Sequence, residues 1–196
     1  ISQVFYDGKI ATEVDDKNRT HPIKKFEGKS IVWIDTSMMN GKDEDRLKGG
    51  SFCNYIENTI IKKLLECFKN ENVIKDLDIG IITGYRGQKE LIRKSVSNGG
   101  YDKISKKIDI NTLDAFQGRE NDIIIYSTVR TKNSIGFQKE KERVNVAFSR
   151  AKDLLIICGD MDFFYKFDDP DNKFVEIIDY IHEHEDECLI ISGGEL

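Results

Sequence analysis

The chain has 196 residues, 39% of them apolar and 33% charged, with a formal net charge of −5 and an isoelectric point near 5.4. That length suits one domain with a real core and is marginal for two, and the composition is that of a globular protein. The acidic total withholds the overall basic footprint of many nucleic-acid binders, though a local basic groove stays open, and no apolar run approaches the roughly 20 residues a membrane helix needs.

Ile1 opens mid-pattern, with no charged segment ahead of an apolar one, so a cut fragment without a signal peptide is expected. Residues 1–30 read as an irregular lead-in punctuated by Gly8, Pro22 and Gly28. Ile31-Val32-Trp33-Ile34-Asp35 reads as a buried strand, and 36–51, rich in Lys, Asp and Gly, as a charged loop disordered at least in part. A helix is expected from about 54 to 69. Asn54 and Glu57 make a capping-box pattern, and Ile56, Ile60, Ile61, Leu64, Leu65 and Phe68 form one apolar stripe. A strand follows at 79–83, then a helix at 87–97 stopped by Asn98-Gly99-Gly100. Strands at 108–111 and 123–129, a helix at 139–148, a strand at 154–158 and a closing amphipathic helix at 173–185 complete the pattern. Alternation of strands and helices predicts an α/β fold whose mostly parallel sheet is covered on both faces, without internal repeats.

Cys53, Cys67, Cys158 and Cys188 are too scattered to hold a metal and are expected as free thiols in a reducing compartment, and His182 and His184 as solvated residues in an acidic run. No metal site is expected. Ligands of such folds gather beyond the carboxyl ends of the strands, which points to the loops after 83, after 111 and before 139. No Gly-x-x-x-x-Gly-Lys-Ser/Thr loop occurs, so the chain holds no triphosphate by that means. Only eight arginines are present, yet Arg119, Arg130, Arg143 and Arg150 fall close together. Arg143 and Arg150, seven residues apart, would share a helix face and could fork phosphate or carboxylate oxygens. A surface ion-pair set is the plainer reading of that spacing. Glu120, after Gly118-Arg119, could accept from a sugar hydroxyl or be an ordinary exposed charge.

These residues carry a resemblance. Thr112-x-Asp114-x-Phe116-Gln117-Gly118-Arg119-Glu120 resembles motif V of the superfamily 1 helicases related to the nonsense-mediated-decay RNA helicase and to senataxin. Arg143-x-Asn145-Val146-Ala147-x-Ser149-Arg150-Ala151-Lys152 resembles their motif VI, and Gly80-Ile81-Ile82-Thr83-x-Tyr85-x-x-Gln88 the strand and turn before motif V. Asn54-x-x-Glu57 is similar to their capped helix, and Val4 to Gly8 to a segment after motif IV. The resemblance covers about 1–165 and implies that 1–196 is the second, C-terminal RecA-like domain of an ATP-dependent RNA or RNA/DNA helicase, a P-loop NTPase fold lacking its own P-loop. It implies an intracellular protein, cytoplasmic or nuclear, moving 5′ to 3′. Arg150 would be the finger on the γ-phosphate, with Arg143 supporting that face. Gly118, Arg119 and Glu120 would meet the nucleotide, Glu120 at the ribose. Thr112, Tyr85 and Gln88 would lie on the side of the single-stranded RNA or DNA.

The departures from the family pattern are as informative. The phosphate-binding lysine loop and the Mg²⁺ carboxylates would belong to the N-terminal RecA-like partner domain, and motif IV would precede Ile1. The fragment alone is therefore expected to be inactive and to hold neither ATP nor Mg²⁺. A non-catalytic nucleic-acid or protein-binding domain that retains the helicase scaffold is the alternative. A stand-alone small enzyme is disfavoured by the missing phosphate loop.

Overall fold

The computed structural model describes residues 20–104, 107–116 and 120–196. Its strands are β1 (Ile31–Asp35), β2 (Asp45–Arg46), β3 (Phe52–Cys53), β4 (Ile79–Thr83), β5 (Ile108–Thr112), β6 (Asn121–Ser127), β7 (Ala151–Gly159) and β8 (Cys188–Ser192). The helices are α1 (Tyr55–Asn70), α2 (Arg86–Asn98), α3 (Tyr101–Ile104), α4 (Lys141–Phe148), α5 (Met161–Lys166) and α6 (Phe174–Glu183), with 3₁₀ turns at Lys24–Phe26, Leu113–Phe116 and Gly136–Lys139. Six strands form one sheet in the order β5-β4-β6-β7-β1-β8. Every pairing in it is parallel, as the continuous apolar runs predict.

The strand period of two sorts the core into two layers. Val32 and Ile34 of β1 join Ile81, Ile125 and Ile156 under α1 and α2. Ile31 and Trp33 point the other way, with Ile82, Tyr126 and Ile157, under α4 and α6. Trp33 is wholly buried, donates its indole N–H to the Gly159 carbonyl at 3.1 Å, and meets Phe164 and Phe174 edge-on.

The expected cap of α1 is half made. The Asn54 side chain accepts from the Glu57 amide at 3.0 Å. The Glu57 carboxylate does not reach back. It is fully buried beneath the end of β6, accepting from the Val129 amide at 2.8 Å, the Ser127 hydroxyl at 2.5 Å and the Thr128 hydroxyl at 3.0 Å. Burial pushes its carboxyl from 4.5 to about 7, against the pull of those three donors. The sign follows from proton counting. Between the unfolded value near 4.5 and about 7 the folded chain binds more protons at Glu57, so this group's contribution to stability falls as pH rises through that window and is flat above it. The full change is on the order of 3 kcal/mol. Urea unfolding of Glu57→Gln beside the parent should give stabilities whose difference varies with pH between 4.5 and 7; a constant difference contradicts the buried titration.

Three expectations need correction. Residues 36–51 are ordered, because Glu44 is buried and β2 pairs antiparallel with β3. Glu44 accepts from the Thr131 amide and hydroxyl, both at 2.5 Å, and from Arg130 Nε at 3.2 Å. Helix α4 begins at Lys141, since Gly136–Lys139 winds as a 3₁₀ turn, and β7 starts at Ala151 rather than 154. Strand β8 and helix α5 are additions, the latter capped by Asp160, whose carboxylate accepts from the Phe163 amide at 3.0 Å. Residues 1–19, with the Val4 to Gly8 match, lie outside the described residues.

Candidate functional site

Sheet order places a crevice. From β4 the chain moves outward to the edge strand β5, whereas from β6 it moves the opposite way to β7. Helices α2 and α4 accordingly pack on opposite faces. Such a switch point leaves a gap at the carboxyl ends of the strands, here between β4 and β6. A cleft of about 390 Å³ opens there, lined by Ser51, Phe52, Gly84, Tyr85, Thr112 and Phe137. The loops expected after 83, after 111 and before 139 do converge on it.

Tyr85 and Thr112 are thus brought together, with different exposure. Thr112, the last residue of β5, is half-buried, while Tyr85 is only 5% exposed and forms the floor. The Tyr85 ring meets Phe52 edge-on at 5.7 Å and Phe137 at 5.4 Å. Burial pushes its phenol up, partly offset by Arg130 beside it. Gln88 does not reach the cleft, which corrects the expectation of a side-chain contact with a strand. It lies on the inner side of α2, fully buried, accepting from the Asn54 amide at 2.8 Å and donating to the Ser127 hydroxyl at 2.9 Å. Its role is to tie α2 to α1 and β6.

Arg150 and Glu120 sit at the opposite edge. The Asn121 amide donates to the Arg150 carbonyl at 3.0 Å, and Asn121 pairs with Ala151. Both are at the amino ends of their strands. The seven residues of β6 put about 20 Å between the two edges. Helix α4 explains the separation: it carries the chain back from the carboxyl edge and delivers Arg150 beyond its end. Arg150 is therefore not on a shared helix face with Arg143, since α4 stops at Phe148. Its guanidinium folds back, Nε donating to the Val146 carbonyl at 3.1 Å and Nη2 to the Ser149 hydroxyl at 3.5 Å. A cation capping a helix C-terminus is favourably placed. Glu120 is exposed, and Gly118 and Arg119 lie outside the described residues.

Arg143, in the first turn of α4, faces the cleft side. Its Nε pairs with Glu140 at 2.8 Å and with Asp114 at 3.5 Å, and its guanidinium lies 5.8 Å from the centre of the Phe137 ring. The two arginines of the second motif thus mark the two ends of α4. Arg130, the other clustered arginine, is a buried strut, 4.4 Å over the Phe52 ring and ion-paired to Glu44. Phe52, Phe137 and Glu44 were not expected in the site. The one available signal was Phe137, a lone aromatic after Gly136 in a polar stretch. No group of His, Cys, Asp and Glu able to hold a metal occurs among the described residues, and His184 stacks on Tyr180 instead. No helix among them is long and apolar enough to cross a membrane.

A family model described as an AAA domain matches residues 1–162. The ATP-dependent helicase NAM7 of Saccharomyces cerevisiae is 35% identical over 167 residues, which is 81% of this chain and 17% of that protein. Helicase SEN1 of the same yeast is 38% identical over 168 residues, 81% of this chain and 7% of that protein. The ATP-dependent helicase upf1 of Schizosaccharomyces pombe is 34% identical over 168 residues, 81% of this chain and 18% of that protein. The chain thus spans less than a fifth of the length of each of these relatives. A solved C-terminal domain of a possible DNA helicase from a Lactobacillus superposes at a TM-score of 0.41 and 15% identity, covering 74% of this chain and 81% of that one, too loosely to bear on function. The family match takes in most of the sequence, both motif stretches included, and the chain belongs to the AAA domain family, with ATP-dependent helicases among its relatives.

Proposed function

We propose that the chain is the second, C-terminal RecA-like domain of an ATP-dependent helicase acting on single-stranded RNA or on RNA/DNA. The observation that carries this reading is the pairing of Asn121 with Ala151 and the Asn121–Arg150 hydrogen bond, which set Glu120 and Arg150 side by side at one edge. Thr112 and Tyr85 meet at the other. A nucleotide edge and a strand edge joined by one rigid sheet is what coupling ATP turnover to movement along a strand requires.

At the nucleotide edge the donor set suits a triphosphate. Arg150 presents a planar guanidinium anchored through Nε at the end of α4, and the exposed Glu120 carboxylate can accept from a ribose hydroxyl. ATP and Mg²⁺ would be held by an N-terminal RecA-like domain of the same polypeptide, with Gly118 and Arg119 approaching the nucleotide from this side. Arg150 would place its charge where the γ-phosphoryl group leaves, and Arg143 would brace α4 through Asp114 and Glu140. Such a protein works inside the cell, where ATP and single strands are found. The test is ATP hydrolysis by the purified chain, with and without single-stranded RNA. No turnover is expected, because the sequence holds no Gly-x-x-x-x-Gly-Lys-Ser/Thr loop; robust turnover by the chain alone overturns the reading.

A further inference from the structure

We infer that the cleft at the carboxyl edge is a stacking pocket for one unstacked base of the bound strand, with Phe137 as its stacking face. This deepens the strand-edge reading above and rests on it. Phe137 is 47% exposed, one of few large apolar side chains so exposed among the described residues. It is also held in place. The preceding Gly136 has φ +63°, and a Cβ there would lie 2.1 Å from the Tyr85 hydroxyl oxygen and 3.1 Å from Arg130 Nη1. Only glycine lets the 3₁₀ turn press this tightly on the floor. The Tyr85 ring then backs Phe137 at 5.4 Å, and Phe52 closes the far wall with the buried Arg130 guanidinium 4.4 Å from its centre.

The occupant follows from the lining. Phe52 and Phe137 flank the Tyr85 floor and leave an aromatic-lined slot, and the volume of about 390 Å³ fits the range of small-ligand pockets. Thr112 and Ser51 add hydroxyls at the rim, which can meet the edge of any base. Arg86 and Asp114 complete the lining, and Arg143 stands behind Asp114 at 3.5 Å and 5.8 Å from the centre of the Phe137 ring, so cations flank the aromatic rings where phosphates on either side of a base would run. A flat π-face, hydroxyls and cations together match a nucleotide better than an apolar peptide side chain, which has no use for the cations. A duplex keeps its bases stacked inside, so the slot admits single strands only, and stacking is tolerant of sequence.

The test is equilibrium binding of the chain, by fluorescence anisotropy, to a labelled ten-nucleotide single-stranded RNA and to the same oligomer made abasic. Phe137→Ala should weaken binding of the intact oligomer about tenfold, within the range base–aromatic stacking gives. Phe137→Leu keeps the bulk without the π-face and should bind as weakly, whereas Phe137→Trp should bind like the parent. The parent should hold the abasic oligomer as weakly as Phe137→Ala holds the intact one. Thermal unfolding of the three variants should match the parent, the side chain being half-exposed. If the parent binds both oligomers equally and Phe137→Ala or Phe137→Leu changes nothing, the pocket assignment is overturned while the strand edge stands. If the parent binds neither oligomer, the strand edge itself fails and the pocket with it.

Discussion

Arg150→Ala in the whole protein, under the helicase function proposed above, is expected to lower strand-stimulated ATP turnover about a thousandfold, the scale of an arginine finger in phosphoryl transfer. The mechanism is charge placement. Phosphoryl transfer needs little covalent help from protein, so a cation fixed where negative charge develops supplies much of the rate. Arg150 is suited to this by its anchoring: Nε is held by the Val146 carbonyl and Nη2 by Ser149, which orients the remaining face of the fork. Arg150→Lys should not restore the rate, because a point charge on a flexible stem lacks both the fork and the Nε anchor. The loss is not unfolding, since removing a cation from a helix C-terminus costs about 0.3–1 kcal/mol at a surface site. Steady-state ATPase with circular dichroism on the same samples checks both statements; near-normal turnover in Arg150→Ala would remove the finger assignment.

Glu44→Ala should destabilise the chain by about 3–5 kcal/mol, the scale for breaking a buried ion pair by removing one partner. Glu44 and Arg130 are 5% and 6% exposed. Truncation strands the Arg130 guanidinium, left with the Lys132 carbonyl at 3.0 Å, the Tyr85 hydroxyl at 3.5 Å and the Phe52 ring. It also strands the Thr131 amide and hydroxyl, and it frees the 36–51 segment from the body of the fold. Domain stabilities are typically about 5–15 kcal/mol, so much of the total is at stake. Replacing both partners, Glu44→Leu with Arg130→Met, should recover most of the loss, because no charge is then left buried unpaired. Urea unfolding of the single and double variants decides this. A single variant within about 1 kcal/mol of the parent, the scale of an exposed pair, would mean that the pair is solvated after all.

The four inner strands were legible because they are continuous apolar runs, and β4 was read to the residue at Ile79–Thr83, whereas the edge strand β8 was missed. The stripe of α1 and its Asn54 cap were legible for the same reason, local periodicity and local chemistry. What escaped depends on distant partners. Glu57 carries a capping-box signature, but its carboxylate is claimed by Ser127, Thr128 and Val129, seventy residues away and more. The 36–51 segment has the composition of a disordered loop, and one buried carboxylate reverses that. Gln88 was expected on the strand side through the resemblance, and nothing in its sequence neighbourhood announces Ser127 as its partner. Spacing alone placed Arg143 and Arg150 on one helix face. The helix ended one residue before Ser149, and strand direction put the two arginines at different edges. The motif stretches were readable as chemistry, and only the topology divided each of them between two separate surfaces.

The affinity of Arg150→Ala for single-stranded RNA without nucleotide measures whether the two edges act separately. If Arg150 serves the amino edge alone, about 20 Å from Thr112 and the cleft, its loss should leave the strand Kd within about twofold of the parent while turnover collapses. A strand affinity that falls tenfold or more alongside turnover, in a variant that remains folded, would contradict the two-edge arrangement.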